Sequence, residues 1–317
     1  MGKIMSGLVN GQWVNGEIAA EEIKNGAFHR QTTTFRETDI TPQAGRYQLF
    51  VSYLCPWASR TLIFRKLKAL ESVISLSIAE PRIGEQGWEF NTPQDVGERI
   101  APIHYLHQLY TASDAHYTGK VSVPVLWDRQ EGRIVNNESA DIIRILNSAF
   151  DGLTGNTLDF YPPALREDID TWNALIYDNI NNGVYKTGFA KTQHHYDQAV
   201  VALFDTLDKV ETQLATHHYI TGDTLTEADW RLFVTLVRFD TAYHGAFKCN
   251  IRRLEDYPHL SNYLRELYQW PGVSDTVNLE HIKIGYYSIL WLNPTGIVPQ
   301  GPHIDLERPH NRAGVGR

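Results

Sequence analysis

Cysteine is almost absent: Cys55 and Cys249 are the only two in 317 residues. They stand far apart in the chain, which argues against a disulfide framework and suits a reducing compartment. Long apolar runs are missing as well. No stretch of about 18 or more apolar residues occurs, and the first residues contain no secretory hydrophobic core, so the expectation is a cytoplasmic protein with no membrane partner. Basic residues are outnumbered, 29 against 37 acidic, for a formal charge of −8, which argues against a nucleic-acid surface. Metal signatures are wanting too. Neither HExxH nor Cys-x-x-Cys appears, and the pairs His194-His195 and His217-His218 lie on polar segments, so they read as solvated histidines and no metal is expected. What remains is an ordinary globular composition, 42% hydrophobic and 21% charged, in a chain long enough for two domains.

The most informative stretch is Leu49-Phe50-Val51-Ser52-Tyr53-Leu54-Cys55-Pro56-Trp57-Ala58-Ser59-Arg60. Tyr47 to Ser52 is short, aromatic and β-branched, which reads as a buried strand. From Trp57 the period changes. Ile63, Leu67 and Leu70 recur at helical spacing with Arg60, Arg65, Lys66 and Lys68 between them, which predicts an amphipathic helix with a basic solvent face. Pro56 suits the first turn, placing Cys55 at or just before the cap. There the free N–H groups and the helix dipole favour a thiolate, the nucleophilic form of cysteine. The alternative is a small buried hydrophobe, the usual fate of a free cysteine.

Before this stretch, residues 1–45 carry Gly2, Gly7, Gly11, Gly16, Gly26 and Gly45 with little periodicity, and read as an extended arm. After it, Val73 to Ile78 alternates as a second strand. Residues 79–117, with Pro81, Gly84, Gly87, Pro93 and Pro102, read as a loop-rich insertion. Val121 to Trp127 is β-rich but contains Pro124, which implies either an edge position or a cis Val123-Pro124 bond. Arg133 to Asn136 offers a fourth strand. Ile142, Ile143, Leu146 and Phe150 then share one helical face, with Glu138 and Ser139 at the helix start, where N–H groups gather anions.

Beyond residue 163 the strand signals vanish. Val200, Leu203, Leu207, Val210 and Leu214 mark a helix facing a bundle core, and Thr226-Glu227-Ala228-Asp229 is a capping box with a structural role. Residues 276–317 form an extension too rich in proline for one long helix. The order implies an α/β thioredoxin-like domain over 46–150 followed by an all-α helical domain over 164–275.

That order resembles the glutathione transferase fold, and within it the glutathionyl-hydroquinone reductases, the Xi class. The resemblance rests on Cys55-Pro56-Trp57-Ala58, Gly87-Trp88-Glu89-Phe90, Val123-Pro124-Val125-Leu126-Trp127-Asp128 and Asn137-Glu138-Ser139-Ala140. It continues through Gly183-Val184-Tyr185-Lys186-Thr187-Gly188-Phe189-Ala190, Leu225-Thr226-Glu227-Ala228-Asp229-Trp230 and Asn293-Pro294-Thr295-Gly296-Ile297-Val298-Pro299. It implies Cys55 as nucleophile, with Trp88, Val123, Pro124, Glu138 and Ser139 around glutathione. Tyr185 and Tyr286 would face an aromatic substrate and assist the chemistry, and the protein would be a homodimer. The chain departs from the pattern at Gly285, where the family usually has a histidine before the paired tyrosines.

The chemistry implied is reductive deglutathionylation of a glutathionyl-hydroquinone through a Cys55–glutathione disulfide. Because position 58 is alanine, a second glutathione must resolve that disulfide. An omega-like thioltransferase or dehydroascorbate reductase would share Cys55 without needing the tyrosines. A conjugating transferase would favour tyrosine or serine at position 55, and a non-catalytic binding protein of the same fold need not activate Cys55 at all.

Overall fold

In the computed structural model, which describes residues 6–15 and 23–315, strands β1 (Ser6–Val9) and β2 (Gln12–Asn15) form a hairpin. Its turn is Asn10-Gly11, both at positive φ (48° and 76°), the pair that two-residue hairpins favour. Gly11 has a second reason to be glycine: a Cβ there would lie 2.0 Å from the Ala115 carbonyl oxygen. The segment read as an extended arm therefore holds paired strand; Gly7 lies within β1, and Gly11, Gly26 and Gly45 sit at turns. Gly2 and Gly16 lie outside the described residues.

The chain divides into two compact units. The first contains the described residues up to Ile23, then His29–Leu158 and Glu280–Ile297; the second contains Lys24–Phe28, Asp159–Leu279 and the described residues from Val298 on.

In the first unit, β3 (Tyr47–Val51) leads into helix α1 (Pro56–Leu67) and then β4 (Ser75–Ile78). β3 and β4 run parallel, with Leu49 opposite Leu76. Every residue of β3 is buried, as a central strand covered on both faces requires. Next come β5 (Glu89–Gln94), β6 (Ile103–Tyr105) and helix α2 (His107–Ser113), within the 79–117 segment that was expected to be loop. A helix of seven residues with only Leu109 and Tyr110 buried leaves too little periodicity to be seen in the sequence. β7 (Gly119–Lys120) pairs with β1, and β8 (Val125–Asp128) lies antiparallel to β3, with β9 (Arg133–Asn136) beside it. The main sheet has the order β9-β8-β3-β4, the thioredoxin-like arrangement. Helix α3 (Ser139–Ser148) packs on α1.

The second unit contains helices α4 (Arg166–Ile176), α5 (Gly183–Phe189), α6 (Gln193–Leu214), α7 (Glu227–Arg238) and α8 (Pro258–Tyr268). The predicted bundle face of α6 is buried, and the Thr226/Asp229 capping box is formed at α7. Helix α9 (Leu279–Tyr287) lies inside the stretch read as a single extension; residues from Glu280 to Ile297 group with the first unit. The last described residues are anchored by Arg312, which is 1% exposed. Its guanidinium donates to Glu266 Oε2 at 2.8 Å and to the carbonyls of Leu214, His217 and His218, so a cation satisfies the end of α6. Among the described residues no helix is long and apolar enough to cross a membrane.

Candidate active site

Cys55 is the N-cap residue of α1, with extended backbone (φ −82°, ψ 120°) and Pro56 opening the helix. The Ser59 N–H donates to the Cys55 carbonyl at 3.0 Å, the first bond of the helix. The Cys55 side chain makes no cap bond, so it does not consume the N–H groups of the first turn. That turn also holds no acidic residue to offset the positive end of the dipole. The residue keeps 9% of its surface, against 0% for Cys249. Burial pushes the Cys249 thiol well up, which makes it inert.

The Cys55 thiol donates to the Val123 carbonyl oxygen at 3.5 Å. The Val123-Pro124 bond is cis, as one of the two sequence readings required. Nearby in the same unit, Glu138 is the N-cap of α3, and its Oε1 accepts the Ala140 N–H at 3.1 Å. Thr33 Oγ1 donates to Glu138 Oε2 (3.2 Å), and the Ser139 hydroxyl donates to Glu138 Oε1 (3.4 Å). Ser139 Oγ in turn accepts from Arg60 Nη1 at 3.3 Å.

Arg60 and Lys68 correct the expected solvent face of α1: each is 1% exposed. Lys68 Nζ donates to the Asn156 carbonyl (3.0 Å) and pairs with Asp151 (2.9 Å), because the chain after α3 covers this side of α1. Arg60 stacks over Trp57 with its guanidinium carbon 4.6 Å from the ring centroid, and Arg30 stands 4.6 Å from the same ring. The start of α3 is thus backed by a buried cation that reaches it from α1.

Trp88 occupies a different anchor in the first unit. Its carbonyl accepts the Leu106 N–H (3.0 Å), and the Gly84 and Gly87 backbones bond to each other before it. Trp13 of the hairpin clamps this turn, donating Nε1–H to the Glu85 carbonyl at 2.8 Å and stacking on His107. Gly87, at φ 81°, leaves no room for a side chain, since its Cβ would sit 2.6 Å from the Trp13 ring.

Tyr286 lies on α9 and is 3% exposed. The same helix touches the segment before Cys55 twice, one turn apart. His281 meets the Tyr53 ring edge-on at 5.7 Å, and a Cβ at Gly285 would lie 2.7 Å from both Leu54 methyl carbons. Glycine at 285 is therefore a packing contact in this chain, and a larger side chain requires Leu54 to move. Gly285→Ala is expected to lower stability by about 1–2 kcal/mol through overpacking, read as a fall in thermal midpoint.

Comparison with known proteins decides the family. The model for the glutathione S-transferase N-terminal domain matches residues 54–149, and that for the C-terminal domain matches residues 193–266. Glutathionyl-hydroquinone reductase YqjG of Escherichia coli is 45% identical over 98% of this chain and 98% of its own. Its glutathione-bound structure superposes with a TM-score of 0.81 at 48% identity, covering 92% of this chain and 94% of that one. Glutathionyl-hydroquinone reductase PcpF of Sphingobium chlorophenolicum is 47% identical over 95% and 96% of the two chains. An Xi-class transferase structure from Natrialba magadii reaches a TM-score of 0.90 at 44% identity, covering 98% and 97%. The chain belongs to the Xi class of glutathione transferases.

Of the residues singled out for this Xi-class transferase, Cys55, Val123, Pro124, Glu138, Ser139, Trp88 and Tyr286 fall in the first unit and Tyr185 in the second. Cys55 and Val123 are in direct contact, and α1 reaches Ser139 through Arg60. Tyr185 belongs to an aromatic cluster with Phe28, Phe189, Tyr243 and Phe247, at centroid separations of 5.3 to 6.1 Å. One π-helical turn, Tyr177–Asn181, precedes α5, and a second, Phe239–Tyr243, follows α7 and ends on the cluster's Tyr243. Such turns recur at functional sites. The histidine pairs have structural partners: Thr192 and His195 bond at 2.7 Å, and His218 Nε2 meets Glu266 at 2.6 Å. Among the described residues no group of three or more His, Cys, Asp or Glu side chains could hold a metal ion. Sequence reasoning missed Arg60, Trp57, Thr33 and Trp13. Of these, Trp57 stands in the Cys55-Pro56-Trp57-Ala58 motif and Arg60 follows on the same short helix, whereas nothing in the local chain points to Thr33 or Trp13.

Proposed function

We propose that the protein reduces glutathionyl-hydroquinones to hydroquinones with glutathione as co-substrate, and that Cys55 is its nucleophile. The observation that carries this reading is a thiol at the N-cap of α1 facing the Val123 carbonyl, in a chain alike over almost its whole length to two named glutathionyl-hydroquinone reductases.

The peptide backbone of glutathione pairs strand-like with Val123, so its cysteinyl N–H takes the carbonyl that the resting thiol occupies. Glu138 holds the ammonium of the γ-glutamyl group, while Ser139 and the N-terminus of α3 take its carboxylate. Trp88 covers the peptide. The Cys55 thiolate then attacks the sulfur of the glutathionyl-hydroquinone in its keto form. A sulfur–sulfur bond forms and the carbon–sulfur bond breaks, with its electron pair passing to the ring carbon. From there it passes to the keto oxygen, and protonation of that oxygen gives the hydroquinone, the ring carbon keeping the hydrogen it gained in the keto form. A second glutathione thiolate attacks the glutathione sulfur of the mixed disulfide, giving oxidised glutathione and free Cys55. Tyr286 binds the developing oxyanion or supplies the proton. Position 58 is alanine, so the resolving thiol comes from solution.

The test is turnover of a glutathionyl-hydroquinone with excess glutathione. Tyr286→Phe is expected to lower kcat at least about tenfold, and unchanged turnover in that variant removes the tyrosine's role. Reduction of dehydroascorbate in preference to the aromatic substrate would instead favour the omega-like reading. The proposal includes a homodimer in a reducing cytoplasm, checked by sedimentation of the purified chain.

A further inference from the structure

The two segments assigned to glutathione are joined by one buried hydroxyl. Tyr110 on α2 is 0% exposed, and its hydroxyl makes three bonds, as many as a hydroxyl ordinarily can. It donates to the Ser122 carbonyl at 2.7 Å and accepts from the Ser122 N–H at 3.2 Å, fixing the residue before Val123. It also accepts from Asn137 Nδ2 at 3.1 Å, fixing the residue before Glu138. Asn137 is held at its other end, because its Oδ1 accepts the Phe35 N–H at 3.2 Å and its own N–H donates to the Phe35 carbonyl. The Tyr110 ring is pinned edge-on by Phe35 and Tyr117, at 5.8 and 5.1 Å. Burial raises the Tyr110 pKa, so the hydroxyl keeps its proton and remains a donor.

We infer that Tyr110 is a positioning residue for glutathione: its hydroxyl sets the Val123 backbone against the start of α3, so the two ends of the bound peptide meet walls of fixed spacing. The inference rests on the glutathione placement proposed above. A satisfied buried network has one geometry, and removing its central atom leaves two donors and an acceptor to relax independently. No step of the chemistry passes through Tyr110, which predicts an effect on binding and little on the chemical step.

The experiment compares Tyr110→Phe, Asn137→Ala, their double variant and Glu138→Gln as reference, with thermal midpoints recorded for each. Tyr110→Phe keeps the ring and removes only the hydroxyl. It is expected to raise KM about tenfold, equivalent to about 1.4 kcal/mol, for glutathione and for the glutathionyl-hydroquinone alike, because both carry the same peptide. Its kcat at saturation is expected to stay within about twofold of the native value. The double variant should raise KM by less than the product of the single effects, as residues sharing a bond do. Unchanged KM values in Tyr110→Phe, with Glu138→Gln impaired, overturn the role given to Tyr110. An unimpaired Glu138→Gln instead overturns the glutathione placement itself. A loss confined to kcat, or independent effects in the double variant, also contradicts the inference.

Discussion

The Cys55→Ala variant is expected to turn over a glutathionyl-hydroquinone at least about a thousandfold more slowly than the native protein, since removing a covalent nucleophile removes the pathway itself. The other sulfur offers no rescue. Cys249 is 0% exposed, its thiol lies 3.8 Å from the Val184 carbonyl oxygen, and burial disfavours its thiolate. Folding should be little affected, because the Cys55 side chain supplies no cap bond to α1. A steady-state assay beside a thermal melt separates the two effects. Retention of more than a few per cent of activity with an unchanged melt would remove Cys55 from the mechanism.

The second large effect concerns stability. Asp229 is 0% exposed, and its carboxylate accepts from the Ile220 N–H (2.9 Å), the Thr226 N–H (2.8 Å), the Thr226 hydroxyl (3.3 Å) and the Tyr263 hydroxyl (2.6 Å). It ends the loop before α7, caps that helix and ties it to α8. Each buried donor left without an acceptor costs about 1–3 kcal/mol. Asp229→Ala is therefore expected to destabilise the protein by roughly 3–5 kcal/mol and to lower the thermal midpoint by about 10 °C. A fall of under about 2 °C would mean that the network contributes far less than its geometry implies. Tyr263→Phe provides the milder comparison, since it removes one donor and leaves the cap.

Local signals were legible where the local chain decides the outcome. The buried strand β3, the proline that opens α1, the capping box of α7 and the α6 core face all follow from short-range rules of period and backbone chemistry, and the structure contains each. The readings that failed depended on remote parts of the chain. Arg60 and Lys68 alternate with apolar residues as a solvent face would, yet Ser139 and the segment around Asn156 cover them. Helix α2 is too short for periodicity to reveal, and it carries the hydroxyl that joins the Val123 and Glu138 segments. The packing role of Gly285 was likewise out of reach of its neighbours in sequence, because in space it is where α9 meets Leu54. The candidate site shows the same division. Cys55 announces itself through its neighbours in sequence, but what holds the residues around it comes from segments up to about a hundred positions away, such as Thr33 on Glu138.

The most direct test of the account is a single-turnover reaction of the protein with a glutathionyl-hydroquinone in the absence of free glutathione, quenched with acid and mapped by mass spectrometry. One equivalent of hydroquinone is expected for each protein chain, with glutathione disulfide-linked to the peptide that contains Cys55. Hydroquinone released with Cys55 unmodified, or with the adduct on Cys249, would contradict it.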